Sequence, residues 1–322
     1  MPIVSVIIPA YNVAPFIGET LTTVFAQTFN DYEVIVINDG SPDTEEFERA
    51  LQPFIDRINY IKQGNRGAGA ARNAGLRSAR GEFIAFLDAD DLWLSNYLEE
   101  QLKFIREHDC DLICADAIHF GNSPFAGRSY TEVLMPTAPP TGTITFLGLV
   151  SAEQSLITSG VVARRQPIFD VGLFDENLRN SQDFDLWLRL VHGGAQLRYQ
   201  RRVLLRYRSH ESSLSGNEVN RITRQLLVLE KVETEFDLEP AARKEASRAI
   251  ACRRAVLQFE LGKIHLKQGE FDKAHESFAN ARSASTNWKT LVAFWTSNTC
   301  PRLIQAIYLR RIGKAHRKLA SG

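Results

Sequence analysis

Several features that define other protein classes are missing from this 322-residue sequence. No apolar stretch reaches the roughly 18 residues needed to cross a bilayer, so no transmembrane helix is expected. The four cysteines show no Cys-x-x-Cys spacing, which predicts reduced thiols and excludes a disulfide framework or a cysteine zinc site. Lysine plus arginine number 38, as do aspartate plus glutamate, and this zero net charge argues against nucleic acid binding through a basic surface.

We do not expect the start of the sequence to be a secretory leader. Met1-Pro2 leads straight into the apolar run Ile3–Ile8, without a basic start or a small-residue cleavage site. We expect this run to be a strand. Together with the reduced thiols, it predicts a cytoplasmic protein.

What is present is the composition of an ordinary globular protein, with 44% apolar and 24% charged residues. A chain of 322 residues is long enough for two domains. Strand and helix patterns alternate over residues 1–220, whereas residues 221–322 show helical patterns alone. The sequence therefore predicts an α/β domain followed by an all-helical C-terminal region.

Four apolar runs in the first hundred residues have the length of buried strands, and helical patterns separate them. The runs are Val4–Pro9, Glu33–Asn38, Ile58–Gln63 and Phe83–Asp88. This alternation predicts a mostly parallel central sheet with flanking helices and right-handed crossovers. Further strands are expected at Asp111–Ala115, Ser159–Arg164 and Leu197–Arg208. The proline-rich segment 121–142 predicts a loop or a mobile lid, to which we assign acceptor choice together with the helical region.

The fourth apolar run ends in three acids, Asp88, Asp90 and Asp91. Open α/β sheets bind ligands at the carboxyl ends of their strands. Neighbouring carboxylates repel one another unless a cation lies between them, and Mg²⁺ or Mn²⁺ suits such oxygen ligands together with substrate phosphates. The alternative is a solvated or capping turn, but Ser95 is available to cap the next helix. The sequence therefore predicts a metal site for a phosphate-bearing substrate.

The helical region contains one pattern typical of a tetratricopeptide-type hairpin, at about 255–285. Its small and large residues are Gly262, Ala274, Phe278 and Ala281. One repeat cannot form a solenoid, so a hairpin packed on the first domain and a peptide-binding surface both stay open.

The C-terminal tail has no acidic residue after Glu276 but contains the cations Arg282, Lys289, Arg302, Arg310, Arg311, Lys314, Arg317 and Lys318. Beside them, an apolar stripe is expected to include Trp288, Phe294, Trp295, Ile304, Ile307, Tyr308 and Ile312. This basic amphipathic pattern suits an anionic membrane surface. A solvated terminus packed on the domain is the alternative.

Residues 3 to about 215 resemble a family 2 glycosyltransferase with the GT-A fold, a Rossmann-like sheet with flanking helices. The resemblance rests on six motifs in the order of the family, which span about two thirds of the chain. They are Val4-Ser-Val-Ile-Ile-Pro-Ala-Tyr-Asn12, Ile37-Asn-Asp39-Gly-Ser41, Asn65-Arg-Gly-Ala-Gly-Ala-Ala-Arg72-Asn73, Phe86-Leu-Asp88-Ala-Asp90-Asp91, Gln182-Asp183-Phe-Asp-Leu-Trp187-Leu-Arg189 and Tyr207-Arg208-Ser-His210. Each motif alone is weak, whereas the ordered set is specific.

The resemblance implies that a nucleotide-sugar donor is bound by Pro9, Ala10, Tyr11 and Asp39. Tyr11 offers an aromatic face to a nucleobase, with a core tyrosine as the alternative. Asp39 is implied to accept a hydrogen bond from a pyrimidine ring N–H, although an Asp-Gly turn explains the local sequence equally well.

Four further residues are implied to hold the diphosphate and its metal. Arg72 supplies a permanently charged fork for the diphosphate or for Asp88, with a surface arginine as the alternative. Asp88 matches the acid that meets the ribose or a metal-bound water. Asp90 matches the metal-binding acid, and His210 matches a histidine that completes the metal site or contacts the diphosphate.

Asp183 matches the acid that acts as general base in the family. Gln182 stands where the family has glutamate, a departure that removes a neighbouring charge. Asp185 is the weaker candidate, because residues two apart on a helix face different ways. The alternative for Asp183 is a first-turn helix acid with no other role.

These roles imply an inverting enzyme that moves a sugar from a nucleoside-diphosphate sugar, with UDP-sugars the first choice, using Mg²⁺ or Mn²⁺. The implied acceptor is a hydroxyl of a glycan or a lipid-linked molecule in bacterial-type polysaccharide synthesis, reached from the cytoplasm or from the inner face of the membrane. Alternatives are an inactive GT-A-like scaffold and a sugar-phosphate nucleotidyltransferase. The latter normally has a Gly-rich loop and a lysine where this chain has Pro9-Ala-Tyr-Asn12.

Overall fold

The computed structural model of the protein describes residues 1–210, 218–284, 288–307 and 309. The chain divides into two compact units, Met1–Gly216 and Asn217–Gly322. The sequence pattern places this boundary at residue 220. Of the predicted tail, Tyr308, Ile312 and the cations from Arg310 onward lie outside the described residues.

The first half of unit 1 contains the four strands predicted from the sequence, and they are parallel as expected. β1 (Val4–Ala10), β2 (Tyr32–Asp39), β3 (Asn59–Gln63) and β4 (Phe83–Phe86) lie in the order β3-β2-β1-β4, and each neighbouring pair is parallel. The central strands are almost wholly buried, in agreement with their continuous apolar sequence. This arrangement brings the carboxyl ends of β1, β2 and β4 to one edge of the sheet.

The helices between these strands lie close to the predicted positions. They are α1 (Ala14–Phe25), α2 (Thr44–Leu51) with a following 3₁₀ segment (Gln52–Arg57), α3 (Ala68–Ser78) and α4 (Tyr97–His108). The prediction that Ser95 caps α4 was wrong, because Asn96 occupies the cap position. The buried Gln27 instead accepts the Leu98 N–H at 3.0 Å, so a distant side chain satisfies this free donor of the first turn.

The second half of the sheet contains both parallel and antiparallel pairs, whereas the alternating strand and helix patterns predicted a mostly parallel sheet. It contains β5 (Leu92–Trp93), β6 (Leu112–Gly121), β7 (Thr141–Thr143), β8 (Val161–Arg164) and β9 (Leu197–Ser209). The order continues β4-β8-β6-β9-β5, with β8 antiparallel to both of its neighbours and β9 parallel to β6. A buried apolar run such as β8 reads the same in either direction, so its sequence did not reveal its orientation.

Segment 121–142 contains regular secondary structure. It contains α5 (Tyr130–Leu134) and leads into β7, which pairs with β9. The Ser129 hydroxyl accepts the Glu132 N–H, and the Glu132 carboxylate accepts the Ser129 N–H, which is a complete capping box. The predicted loop or lid therefore includes a short helix that was not expected, and Ser-x-x-Glu was the overlooked signal.

Three helices complete unit 1: α6 (Phe146–Ser151), α7 (Arg165–Asp170) and α8 (Gln182–His192). The predicted helix around Phe184–Val191 is α8, which buries Leu186, Trp187, Leu188 and Leu190. Its first turn contains Asp183, so burial of this apolar face fixes the position of that acid.

Unit 2 is helical throughout its described part. α9 (Glu218–Glu235), α10 (Pro240–Gln268), α11 (Phe271–Ala284) and α12 (Trp288–Thr299) are followed by further helical residues at 301–307. α10 and α11 pack as a hairpin around Leu266, Ala274 and Phe278, at the site of the tetratricopeptide-type pattern. Phe294 and Ile304 pack against this cluster, so their predicted place on an exposed stripe was wrong. Across the described ranges, no helix is both long and apolar enough to cross a membrane.

Candidate active site

The loops after β1 and β2 are tied together at the ligand-binding edge of the sheet. Asn12 donates its N–H to Ser41 Oγ at 2.6 Å, and Ala14 donates its N–H to Asp43 Oδ2 at 2.8 Å. Ala10 is buried at the end of β1, whereas the Tyr11 ring is exposed beside it. The core-tyrosine alternative for Tyr11 is therefore wrong, and its ring is free to stack on a ligand.

Asp39 ends β2 and is buried, with three hydrogen bonds to its carboxylate. Oδ1 accepts from Gln63 Nε2 at 2.8 Å and from the Arg66 N–H at 2.9 Å, and Oδ2 accepts from the Gly67 N–H at 2.7 Å. Asp39 thus holds the loop that leads into α3. Each oxygen has two lone pairs, so Oδ2 keeps capacity for one more donor.

Arg72 projects from α3 to the acidic turn after β4. Its Nη2 donates to Asp88 Oδ1 at 2.5 Å, and its side chain is only 5% exposed against 36% for Asp88. Among the described residues, Nε and Nη1 of Arg72 have no hydrogen-bond partner. The surface-arginine alternative is therefore wrong, because this guanidinium is buried with two donor groups unused.

Asp90 contacts two residues at the end of β9 and just after it. His210 Nε2 lies 2.7 Å from Asp90 Oδ2, and Arg208 Nε donates to the Asp90 carbonyl at 2.7 Å. Burial and the neighbouring Asp88 charge raise the pKa of the Asp90 carboxyl above its ordinary value. The two predicted metal ligands thus lie side by side.

Asp91 has an internal role that differs from those of the other two acids. It is fully buried, accepting from the Ser159 hydroxyl at 2.5 Å and from the Arg208 N–H at 2.8 Å. Burial, with the charges of Asp90 and Asp88, raises the pKa of Asp91 well above its ordinary range. Asp91 therefore anchors the acidic turn to β9 and to the start of β8.

Asp183 lies in the first turn of α8 and is partly exposed. Its Oδ2 accepts from the Thr158 hydroxyl at 3.0 Å, and its Oδ1 accepts from the Phe184 N–H at 2.8 Å. Asp185 is fully buried and pairs with Arg189 at 2.6 Å, so the sequence-based preference for Asp183 over Asp185 agrees with their exposure.

Two consecutive residues connect Asp183 to the acidic turn. Thr158 bonds to Asp183, while Ser159 bonds to Asp91 and accepts the Asp88 N–H at 3.1 Å. α3 links the acidic turn to the end of β2. Asp39 of β2 binds the loop before α3, and Arg72 of α3 binds Asp88 in the acidic turn. Asp39, Asp88, Asp90 and Asp183 therefore share one side of unit 1.

Unit 1 also contains an aromatic cluster around His119 that the sequence did not reveal. His119 of β6 is buried among Phe125, Tyr130 and Tyr207, with ring centroids 5.8, 6.1 and 5.4 Å away. Within the described part of the chain, neither His119 ring nitrogen has a hydrogen-bond partner. Burial lowers the pKa of His119 below its ordinary value. The neutral ring is the one that fits this cluster.

The donor atoms at Asp90 and His210 fit a divalent cation. A carboxylate oxygen and an imidazole nitrogen meet at one point, beside the carboxylate of Asp88. No group of three or more His, Cys, Asp or Glu side chains forms a metal site among the described residues. Two protein ligands are nevertheless enough where substrate phosphates and water supply the remainder.

Thr158 and Ser159 were missing from the sequence-based site, and Arg208 was part of a motif but was given no role. Their partners are 25, 68 and 117 residues away in sequence. A hydroxyl before a strand is common, and nothing local marks these residues as contacts of the acidic cluster.

Residues 5–167 match the family described as Glycosyl transferase family 2. TuaG of Bacillus subtilis, provisionally named a teichuronic acid biosynthesis glycosyltransferase, is 30% identical over 72% of this chain and 89% of its own length. The chain spans about a third of the length of the first curated relatives, uncharacterised glycosyltransferases of Rickettsia.

Solved structures share the fold along almost the whole chain. S. aureus TarS 1–349 in complex with UDP-GlcNAc has a TM-score of 0.69 at 18% identity, over 99% of this chain and 92% of that one. The mannosyltransferase PcManGT from Pyrobaculum calidifontis, in complex with GDP-Man and Mn²⁺, has a TM-score of 0.61 at 18% identity, over 99% and 87%. At these identities the likeness shows the GT-A fold.

Proposed function

The chain belongs to glycosyl transferase family 2, and we propose that it is an inverting glycosyltransferase that uses a nucleoside-diphosphate sugar, with UDP-sugars the first choice. The acceptor is a hydroxyl group of a glycan or of a lipid-linked molecule. The observation that carries the proposal is the Thr158-Ser159 pair, which links a partly exposed acid, Asp183, to the acidic turn at Asp88 and Asp90.

Donor binding is assigned to the edge formed by β1, β2 and α3. The exposed Tyr11 ring stacks on the base, Asp39 accepts a base N–H, and Pro9 and Ala10 form the adjoining wall. Two nitrogens of the buried Arg72 side chain have no hydrogen-bond partner among the described residues, which suits an anionic phosphate better than it suits an apolar group.

Asp90 and His210 would hold a divalent cation, with Asp88 beside them. The imidazole ligand favours Mn²⁺ over Mg²⁺, because hard Mg²⁺ prefers oxygen. When bound, the cation offsets negative charge that grows on the departing diphosphate. Burial, followed by the Asp88 charge, raises the pKa of Asp90, and a bound cation would offset both effects.

Asp183 acts as the general base in this proposal. It takes the proton of the acceptor hydroxyl as the acceptor oxygen forms a bond to the anomeric carbon. The bond from that carbon to the diphosphate oxygen breaks on the opposite face, and its electron pair leaves with the nucleoside diphosphate. Thr158 holds one carboxylate oxygen, so the other points along a fixed direction.

The relatives support this class of donor and acceptor. The TarS and PcManGT structures contain UDP-GlcNAc and GDP-Man with Mn²⁺, and TuaG is named for teichuronic acid biosynthesis. We therefore propose a role in bacterial glycan synthesis. A cytoplasmic location is proposed from the cysteines, since Cys110 and Cys114 are buried free thiols and Cys252 and Cys300 are exposed free thiols.

The test is release of nucleoside diphosphate from a panel of UDP-, GDP- and dTDP-sugars, with Mn²⁺ or with EDTA. Metal-dependent release from at least one donor, lost in Asp183→Asn, supports transfer chemistry. Binding of a nucleotide sugar without release in the presence of any acceptor glycan would instead favour an inactive scaffold. Formation of a nucleotide sugar from a sugar phosphate and a nucleoside triphosphate would favour a nucleotidyltransferase.

A further inference from the structure

α12 exposes a continuous apolar face. Trp288, Leu291, Val292 and Trp295 are 67%, 43%, 47% and 55% exposed. Their spacing of i, i+3, i+4 and i+7 places them on one side of the helix. The following helical residues continue the exposure with Leu303 at 61% and Ile307 at 46%, and Leu309 is 43% exposed.

The opposite side of α12 is the one that packs inside unit 2. Thr290 and Ser297 are buried there, and Ser297 Oγ lies 3.1 Å from His275 Nδ1. Ala293 and Phe294 pack against the Leu266, Ala274 and Phe278 cluster. The helix therefore packs Phe294 with small and polar residues on one side and exposes two tryptophans on the other. An exposed apolar face of this extent indicates a binding surface.

The charge of this part of the chain identifies the class of partner. Residues 277–322 contain no aspartate or glutamate but eight lysines and arginines. Of these, Arg302 is exposed beside Leu303, and Arg282 stacks on Phe294 with its guanidinium carbon 4.8 Å from the ring centroid. A segment that combines exposed tryptophan and leucine with an excess of lysine and arginine matches the interface of an anionic bilayer.

A second copy of the chain fits the exposed face of α12 less well than an anionic bilayer does. In a two-fold dimer the same face meets itself, so the positive charges of both copies would approach each other with no acid in this region to pair with them. A bilayer that contains anionic lipid supplies the missing negative charge.

We infer that Trp288, Leu291, Val292 and Trp295, continued by Leu303, Ile307 and Leu309, form an interfacial anchor that binds an anionic lipid surface. The tryptophans enter the interface, and lysines and arginines of residues 277–322 pair with lipid phosphates. This anchor is independent of the sugar-transfer proposal, because none of its residues belongs to the site in unit 1.

The tryptophans themselves provide the readout. The chain has four, of which Trp93 and Trp187 are buried and Trp288 and Trp295 are exposed. When the full chain is mixed with phosphatidylcholine vesicles containing phosphatidylglycerol, we expect co-sedimentation and a blue shift of the emission. Both signals should weaken with added salt and be far smaller with phosphatidylcholine alone.

Trp288→Ser combined with Trp295→Ser should lower vesicle partitioning by about tenfold or more. Val256→Ser is the matched control, because Val256 is 62% exposed on α10, outside the anchor. Both variants should unfold at the parent temperature. The inference is overturned if the parent does not bind anionic vesicles or if the double variant binds them as well as the parent. It is also overturned if Val256→Ser loses as much vesicle binding as the double variant.

A self-association that the double variant abolishes, without vesicle binding by the parent, would assign the face to a second copy and would also overturn the inference. Release of nucleoside diphosphate in solution is measured in parallel. Because its loss would count against the proposed function alone, failure of the anchor and failure of the transferase remain distinguishable.

Discussion

Asp90 Oδ2 and His210 Nε2 lie 2.7 Å apart, although 120 residues separate them in sequence. This contact folds the end of β9 onto the acidic turn and brings two different donor atoms to one point. A divalent cation would compete with protons for these donor atoms, so metal binding here is expected to weaken at low pH.

Asp90→Ala should abolish the increase in nucleotide affinity that Mn²⁺ produces, because one of the two proposed protein ligands is lost. Titration of UDP and GDP with and without Mn²⁺ measures this effect. Asp56→Ala is the control, since Asp56 is an exposed acid in the 3₁₀ segment after α2. An unchanged response to Mn²⁺ in Asp90→Ala would remove Asp90 from the metal site.

Asp183→Asn should lower turnover by about 10²–10⁴-fold while leaving donor and metal binding close to those of the parent. The amide oxygen can still accept one of the bonds from Thr158 and Phe184, so the fold should be retained. Single-turnover rates and donor titrations separate the two effects. Turnover close to the parent value would mean that another group takes the proton.

Thr158→Val should reduce kcat by about 2- to 10-fold, with little change in donor affinity. The substitution removes one hydrogen bond to Asp183, worth about 0.5–1.5 kcal/mol, and leaves the shape of the side chain. Thr158→Ser keeps the hydroxyl and should recover most of the rate. Equal rates in Thr158→Val and the parent would show that this bond does not orient the base.

His119→Phe should be as stable as the parent at pH 7, to within about 1 kcal/mol, because no hydrogen bond among the described residues is lost. Burial lowers the His119 pKa, so the unfolded chain binds the extra proton first. The parent should therefore lose stability as pH falls below about 6.5 and through the folded-state pKa, and the variant should lack this contribution. Urea unfolding between about pH 7 and pH 5 tests it, and parallel curves would contradict it.

Gly262→Ala should destabilise unit 2 by about 1–3 kcal/mol. An added Cβ would lie 2.6 Å from Phe278 Cε1, and that ring is fixed in the core of the α10–α11 hairpin. Gly18→Ala in α1 is the matched control, because its Cβ meets nothing within 4 Å and should stabilise its helix by about 0.5–1 kcal/mol. Thermal unfolding measures both, and a neutral Gly262→Ala would show that the hairpin has room to adjust.

The parallel half of the sheet was predictable because each strand is an uninterrupted apolar run next to a helical repeat. The same runs fixed the place of Asp39 and Asp88, since the chain leaves a buried strand at those positions. Asp183 was found only through family resemblance, because one acid in a first turn has an ordinary capping explanation.

The long-range hydrogen bonds could not be predicted from the sequence. No local pattern around Ser159 predicts its hydrogen bond to Asp91. No local pattern around Gln27 predicts that its side chain accepts the Leu98 N–H at the start of α4. The orientation of β8 was hidden for a related reason, since strand direction is decided by which neighbours it pairs with. The order within segment 121–142 was readable in principle, because Ser129-x-x-Glu132 is a helix-start signal.

Thr158 and Ser159 also set a limit on how this protein can vary in length. Each hydroxyl has its own partner, Asp183 for one and Asp91 for the other, and a single peptide unit separates them. Inserting or deleting one residue at that point would shift one partner relative to the other by several ångströms. This junction must therefore keep its residue count for both hydrogen bonds to form.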